Sequence, residues 1–142
     1  MIAIDTNLLI YAHRAGVPEH RRAQRVIQRA CDDPHGWGIS ASSIAEFWSI
    51  VTHPAVKGRP SKPREAADFL GALIETGGMQ VWLPGSGFAE RLTQLACDLN
   101  VSGVRIFDLQ IALIAFENGG TELWTHDADF VRVPGLRIID PM

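Results

Sequence analysis

Cysteine is scarce in this chain of 142 residues: only Cys31 and Cys97 occur, too few and too far apart for a disulfide framework. No CxxC or HxxH-type spacing is present, which argues against a structural zinc site. Two buried or partly buried thiols in a reducing compartment are expected. Long hydrophobic runs are missing too, and none approaches the roughly 20 residues that span a bilayer. Asp5 interrupts the apolar start and no basic stretch precedes it, so a signal peptide is not read and a cytoplasmic location is expected. Bulk positive charge is also lacking. A net charge of −3 weighs against wrapping nucleic acid by electrostatics alone, yet leaves open the holding of phosphates through a metal ion. Repeats, low-complexity tracts and linkers are absent. What remains is a chain with 46% hydrophobic residues, read as one domain over residues 1–142.

Short apolar runs alternate with helical patterns along the whole length. Met1–Ile4 reads as a buried strand, followed by helical pieces at Leu8–His13 and Glu19–Cys31 on either side of a Gly16/Pro18 break. In the second piece Ala23, Val26, Ile27 and Ala30 form an apolar stripe at helical spacing. Trp37–Ile39 is a second short strand, and Ser40 offers a cap for a helix over Ala41–Thr52. Beyond the basic loop Lys57–Pro63 a helix is expected near Arg64–Glu75, then a strand at Gln80–Leu83. Helices at Phe88–Leu99 and Phe107–Asn118 and strands at Leu123–Thr125 and Arg137–Ile139 complete the pattern. The alternation predicts a three-layer α/β/α sandwich around a central, mostly parallel sheet.

Four carboxylates stand where that pattern makes them conspicuous: Asp5 after the first strand, Glu46 after the second, Asp108 in an apolar helix, and Asp127 after Leu123–Thr125. In an open parallel sheet the ligand lies beyond the carboxyl ends of the strands, so dispersed acids converge there. Clustered carboxylates repel, and stay ionised together when a cation joins them. The pattern points to a hard-metal site for Mg²⁺ or Mn²⁺. Each acid also has a plainer reading. Asp5 suits a turn. Glu46 completes an S-x-x-E capping box from Ser43. Asp108 could cap its own helix, although Ile111, Ala112 and Ala115 share its face and no basic partner is read at helical spacing, with Arg105 nearby in sequence. Asp127 and Asp129 could cap a short helix, and His126 stays outside the ligand set. It is the conjunction of the four that carries the site, with Thr6 and Asn7 placed to orient Asp5 or a bound water.

The segments MIAIDTNLLIYA, SASSIAEFWSIVTHP, VRIFDLQIALIAF and LWTHDADF resemble the PIN domain, specifically the VapC-type toxins of bacterial toxin–antitoxin pairs. The likeness runs from Met1 to Phe130. It implies an acidic cluster on Asp5, Glu46, Asp108 and Asp127, with Asp5, Asp108 and Asp127 as metal ligands. Thr125 is then the accompanying hydroxyl and Asp129 a second, less central acid. It further implies Mg²⁺- or Mn²⁺-dependent cleavage of RNA, a homodimer, and a small cognate antitoxin as partner, with no role for a membrane. Arg14, Arg22 and Arg25 are candidates for contacting flanking phosphates. Two other readings are a non-catalytic PIN-like binding module and an aspartate-based phosphohydrolase of the haloacid-dehalogenase type. The second is disfavoured because Asn7, not an acid, stands two residues after Asp5.

Overall fold

Ile2-Ala3-Ile4 is buried on both sides in the computed structural model, which describes residues 1–142, and forms the central strand β1 (Ile2–Ile4). Around it lie β2 (Trp37–Ser40), β3 (Met79–Trp82), β4 (Glu122–Trp124) and β5 (Arg137–Ile139). All pairings are parallel and the spatial order is β3-β2-β1-β4-β5. The helices are α1 (Thr6–His13), α2 (His20–Cys31), α3 (Ala41–Val51), α4 (Pro63–Glu75), α5 (Phe88–Asp98) and α6 (Arg105–Glu117).

Because side chains alternate across a strand, β1 feeds two separate cores. Ile2 and Ile4 pack with Leu8, Val26, Phe47 and Leu70, from α1 to α4, on one face. Ala3 joins Leu109, Ile111 and Ala112 of α6, with Leu92 and Leu95 of α5 against them, on the other. Trp124 and Leu123 divide the same way in β4. This is the expected three-layer sandwich. The all-round apolar run of α6 is explained by its position: Leu109 and Ile111 to Ala115 are all buried.

The chain winds outward from β1 through β2 to β3, then returns to the other side of β1 for β4 and β5. The direction of winding therefore reverses between β1 and β4, and a crevice opens beyond their carboxyl ends. Strand β2 permits this packing through Gly38. A Cβ there would lie 2.7 Å from the Gln80 carbonyl oxygen and 2.8 Å from the Trp82 ring.

Several element ends differ from the expectation by a residue or two. The difference that matters is at α1, which starts at Thr6 rather than Leu8. Asp5, Thr6 and Asn7 are thus a helix entry, not a free polar turn. Helix α6 likewise begins at Arg105, after Gly103 turns the chain at φ +62. Cys31 is partly buried as expected, but Cys97 is exposed, since α5 buries none of its residues fully. No helix is long and apolar enough to cross a membrane.

Candidate active site

Asp5 takes the N-cap position of α1 with extended backbone angles, yet its side chain makes no capping bond. Its Oδ2 instead accepts a 2.6 Å hydrogen bond from the Thr125 hydroxyl, one residue past β4. The Thr125 oxygen in turn accepts from the Asp127 backbone N–H at 3.0 Å and from Asn7 Nδ2 at 3.3 Å. A hydroxyl offers one donor and two acceptor sites, so Thr125 is saturated and both of its neighbours across the switch point are fixed by it. The same saturation fixes the Asn7 amide with its nitrogen toward Thr125. Asn7 Oδ1 is then left buried without a hydrogen-bond partner.

Glu46 does not cap α3. That helix starts at Ala41 with Ser40 as its N-cap, the Ser40 side chain accepting from the Ser42 backbone N–H, so Glu46 lies in the second turn. Its Oε2 accepts from the Thr6 hydroxyl at 3.1 Å, tying α3 to α1. Asp108 is no N-cap either, because Val104 holds that place and Asp108 falls within the first turn of α6. Nor do Asp127 and Asp129 cap a helix. Asp127 Oδ1 accepts from the Asp129 backbone N–H at 2.9 Å in a turn, and no helix follows. The plainer readings of these three positions are overturned by where the elements begin.

Glu46, Asp108, Asp127 and Asp129 line one open groove of about 1210 Å³, together with Arg105, Phe107, Gln110 and Arg132. Asp5 is buried, 7% exposed, and does not itself line the groove, but it lies close enough to Glu46 and Asp108 to feel their charges. Burial pushes the Asp5 carboxyl up to about 7; the charges of Glu46 and Asp108 add to the rise, while Thr125 and the Thr6 backbone oppose it. The Asp108 carboxyl stands at about 6 through burial, then through Asp127 and Glu46, with Arg105 pulling the other way. Burial raises Tyr11 as well, and Glu19, Asp5 and Asp127 all contribute to it. The four acids therefore share one negative field, and none forms an ion pair with Lys or Arg. They do not form a preformed ligand shell, however: no three Asp, Glu, His or Cys side chains approach closely enough.

The arginines singled out in the sequence lie elsewhere. Arg14 donates to the carbonyls of Arg59 at 2.7 Å and Lys57 at 2.9 Å, anchoring the basic loop beside a separate cavity. Arg22 and Arg25 are exposed on α2 and do not line the groove. The groove's own cations are Arg105 and Arg132. Arg105 stands three residues before Asp108 in α6, so a basic residue does lie at helical spacing from that acid, contrary to the expectation. Val104 and Phe107, which the sequence reading did not single out, are exposed in the same groove. His126, left outside the ligand set, is hydrogen-bonded through Nδ1 to Asp140 at 2.9 Å.

The PIN domain matches residues 2–136. VapC ribonuclease Mb2897 of Mycobacterium bovis is 32% identical over 142 residues, covering 100% of this chain and 96% of that protein. Ribonuclease VapC43 of Mycobacterium tuberculosis H37Rv gives the same identity and coverage. Among solved structures, VapC20 of Mycobacterium tuberculosis, titled a Sarcin-Ricin loop cleaving toxin, superposes with a TM-score of 0.68 at 17% identity over 92% of each chain. VapBC2 from Rickettsia felis, bound to a DNA fragment from its promoter, gives 0.65 at 20% identity over 98% of each. The two structures share the fold, and the curated relatives share sequence from end to end. The chain belongs to the PIN-domain family, and within it to the VapC-type proteins.

Proposed function

We propose that this protein is a divalent-metal-dependent endoribonuclease, the toxin of a VapBC-like pair, hydrolysing RNA phosphodiester bonds at Asp5, Glu46, Asp108 and Asp127. One observation carries this reading: acids from distant parts of the chain come together at the switch point, Asp5 and Asp108 are raised by burial and by the charges of the others, and none of the four is ion-paired with Lys or Arg. Such a set fits a cation. Its donors are all oxygens, as Mg²⁺ and Mn²⁺ prefer, and Asn7 Oδ1 adds an unpartnered one. Mg²⁺ keeps several waters and needs only one or two carboxylates, which suits acids that share a groove without forming a closed shell.

Asp5, Asp108 and Asp127 would hold the ion. When bound, it supplies a Lewis acid toward phosphate and lowers the pKa of water. The protein's part is positional. Thr125 holds Asp5 and the Asp127 backbone in place, and Thr6 occupies Glu46 Oε2, leaving Oε1 to accept a proton from water entering the groove. Arg105 and Arg132 meet flanking phosphates, a role their place in the groove favours over Arg14, Arg22 and Arg25. Ribonuclease activity is supported by the names of the full-length relatives. An antitoxin partner is supported by the VapBC2 structure. We place the protein with RNA, such an antitoxin and a second copy of itself.

Purified protein tests this with cellular RNA and Mn²⁺. Wild type is expected to cleave, Asp5→Asn to lose cleavage with its circular dichroism unchanged, and Glu46→Gln to lose at least about tenfold, equal to about 1.4 kcal/mol in the barrier. Wild-type cleavage by Asp5→Asn would end the metal-nuclease reading.

A further inference from the structure

Phe107 is 59% exposed and Val104 78% exposed, and both line the groove that holds Asp108 and Asp127. Side chains at i and i+3 of a helix are neighbours, so the two form one apolar shelf at the start of α6. The shelf adds nothing to either core. Its surroundings identify what would cover it. Phe107 immediately precedes Asp108, with Cα atoms about 3.8 Å apart, and successive helical side chains diverge by about 100°. Both side chains nevertheless line the one groove, so a strand whose phosphate lies at Asp108 has a base of the same or adjoining nucleotide within reach of the ring. Arg105 and Arg132 line the same groove and match the charge of flanking phosphates, while its four carboxylates face the strand through the cation of the ribonuclease reading. Single-stranded RNA offers flat bases of this kind between negative charges, and aromatic rings stack on any base.

We propose that Phe107, shouldered by Val104, is a stacking platform for a nucleobase of single-stranded RNA beside the cleaved phosphate. This rests on the ribonuclease reading above. The probe is an adenosine octaribonucleotide, compared with an abasic ribose-phosphate octamer of the same charge, with Ca²⁺ replacing Mg²⁺ during binding. Phe107→Ala is expected to weaken adenosine-octamer binding at least about fivefold, the lower end for loss of one stacked base, while leaving abasic-octamer binding at the wild-type value. Phe107→Tyr restores it. Phe107→Trp adds an exposed indole to a chain whose Trp37, Trp82 and Trp124 are buried and whose Trp48 is half-buried, and the emission it adds over wild type falls with the adenosine octamer and not with the abasic one. Because the position is exposed, melting temperatures of all three variants should match wild type. Equal losses for both octamers, or none, would overturn the platform. So would unchanged RNA binding together with lost binding of a co-expressed antitoxin, which would assign the shelf to a protein interface. Wild type cleaving cellular RNA with Mn²⁺ in the same preparation keeps a failed platform distinct from a failed ribonuclease. Wild type that cleaves no RNA ends both.

Discussion

Asp5 holds its proton to about pH 7 in the metal-free fold, whereas an exposed Asp in the unfolded chain loses it near 3.8. The folded state thus binds the proton more tightly over that interval, and stability falls as pH rises. The contribution is complete below about 3.8 and gone above about 7, because the folded value is raised, not lowered. Glu46 on α3 and Asp108 on α6 face the same charge, and the Thr125 hydroxyl after β4 is its main counterweight. Between pH 5 and 7.5 in EDTA, wild type should lose on the order of 2 kcal/mol more stability than Asp5→Asn, which cannot titrate. Urea denaturation of both proteins at the two pH values measures this difference. Parallel losses would mean that Asp5 is not held protonated by burial, and the repelling cluster would lose its buried member.

Helices and strands were largely legible in the sequence, because apolar alternation and helical stripes report which faces are buried. Element ends were less so, and the ends decided the site. Helix α3 begins where the sequence places it, after the Ser40 cap, and that start alone puts Glu46 in the second turn rather than in a capping box from Ser43. The Thr6–Glu46 bond joins two elements brought together only by packing, so local patterning holds no trace of it. The exposure of Phe107 has no trace in the pattern either, because periodicity reports a face and not whether anything lies against it. Glycines show the same dependence on surroundings. Gly38 is tight against the Gln80 backbone and the Trp82 ring, whereas nothing lies within 4 Å of a Cβ on Gly71, inside α4. Gly38→Ala should destabilise by about 1–3 kcal/mol through overpacking. Gly71→Ala should stabilise by about 0.5–1 kcal/mol, as expected for an unstrained helix interior. Chemical denaturation separates them by sign, and a stabilised Gly38→Ala would show that β2 and β3 can move apart without loss.

The acid cluster exists only when the whole chain is folded. Asp5 follows the first strand, Asp127 follows the fourth, and Glu46 and Asp108 come from helices on opposite faces of the sheet. The unfolded chain holds none of these together, so a cation that binds there binds the native state alone and stabilises it by mass action. At a hundredfold excess over its dissociation constant that amounts to about 2.7 kcal/mol. For a protein of this size the melting temperature then rises by roughly 5–10 °C. Asp108 is the informative position. It lies in the first turn of α6, its carboxyl stands at about 6 beside Asp127 and Glu46, and no Lys or Arg forms an ion pair with it. Asp108→Asn should therefore melt as high as wild type or higher in EDTA at pH 7.5, since one repelling charge is gone. With millimolar Mn²⁺ its rise should be a small fraction of the wild-type rise. Differential scanning fluorimetry with and without Mn²⁺ reads both quantities. A full metal-dependent rise in Asp108→Asn would remove Asp108 from the ligand set and move the ion toward Asp5 and Asp127. No rise in wild type would leave the raised carboxyls without the cation that their repulsion calls for.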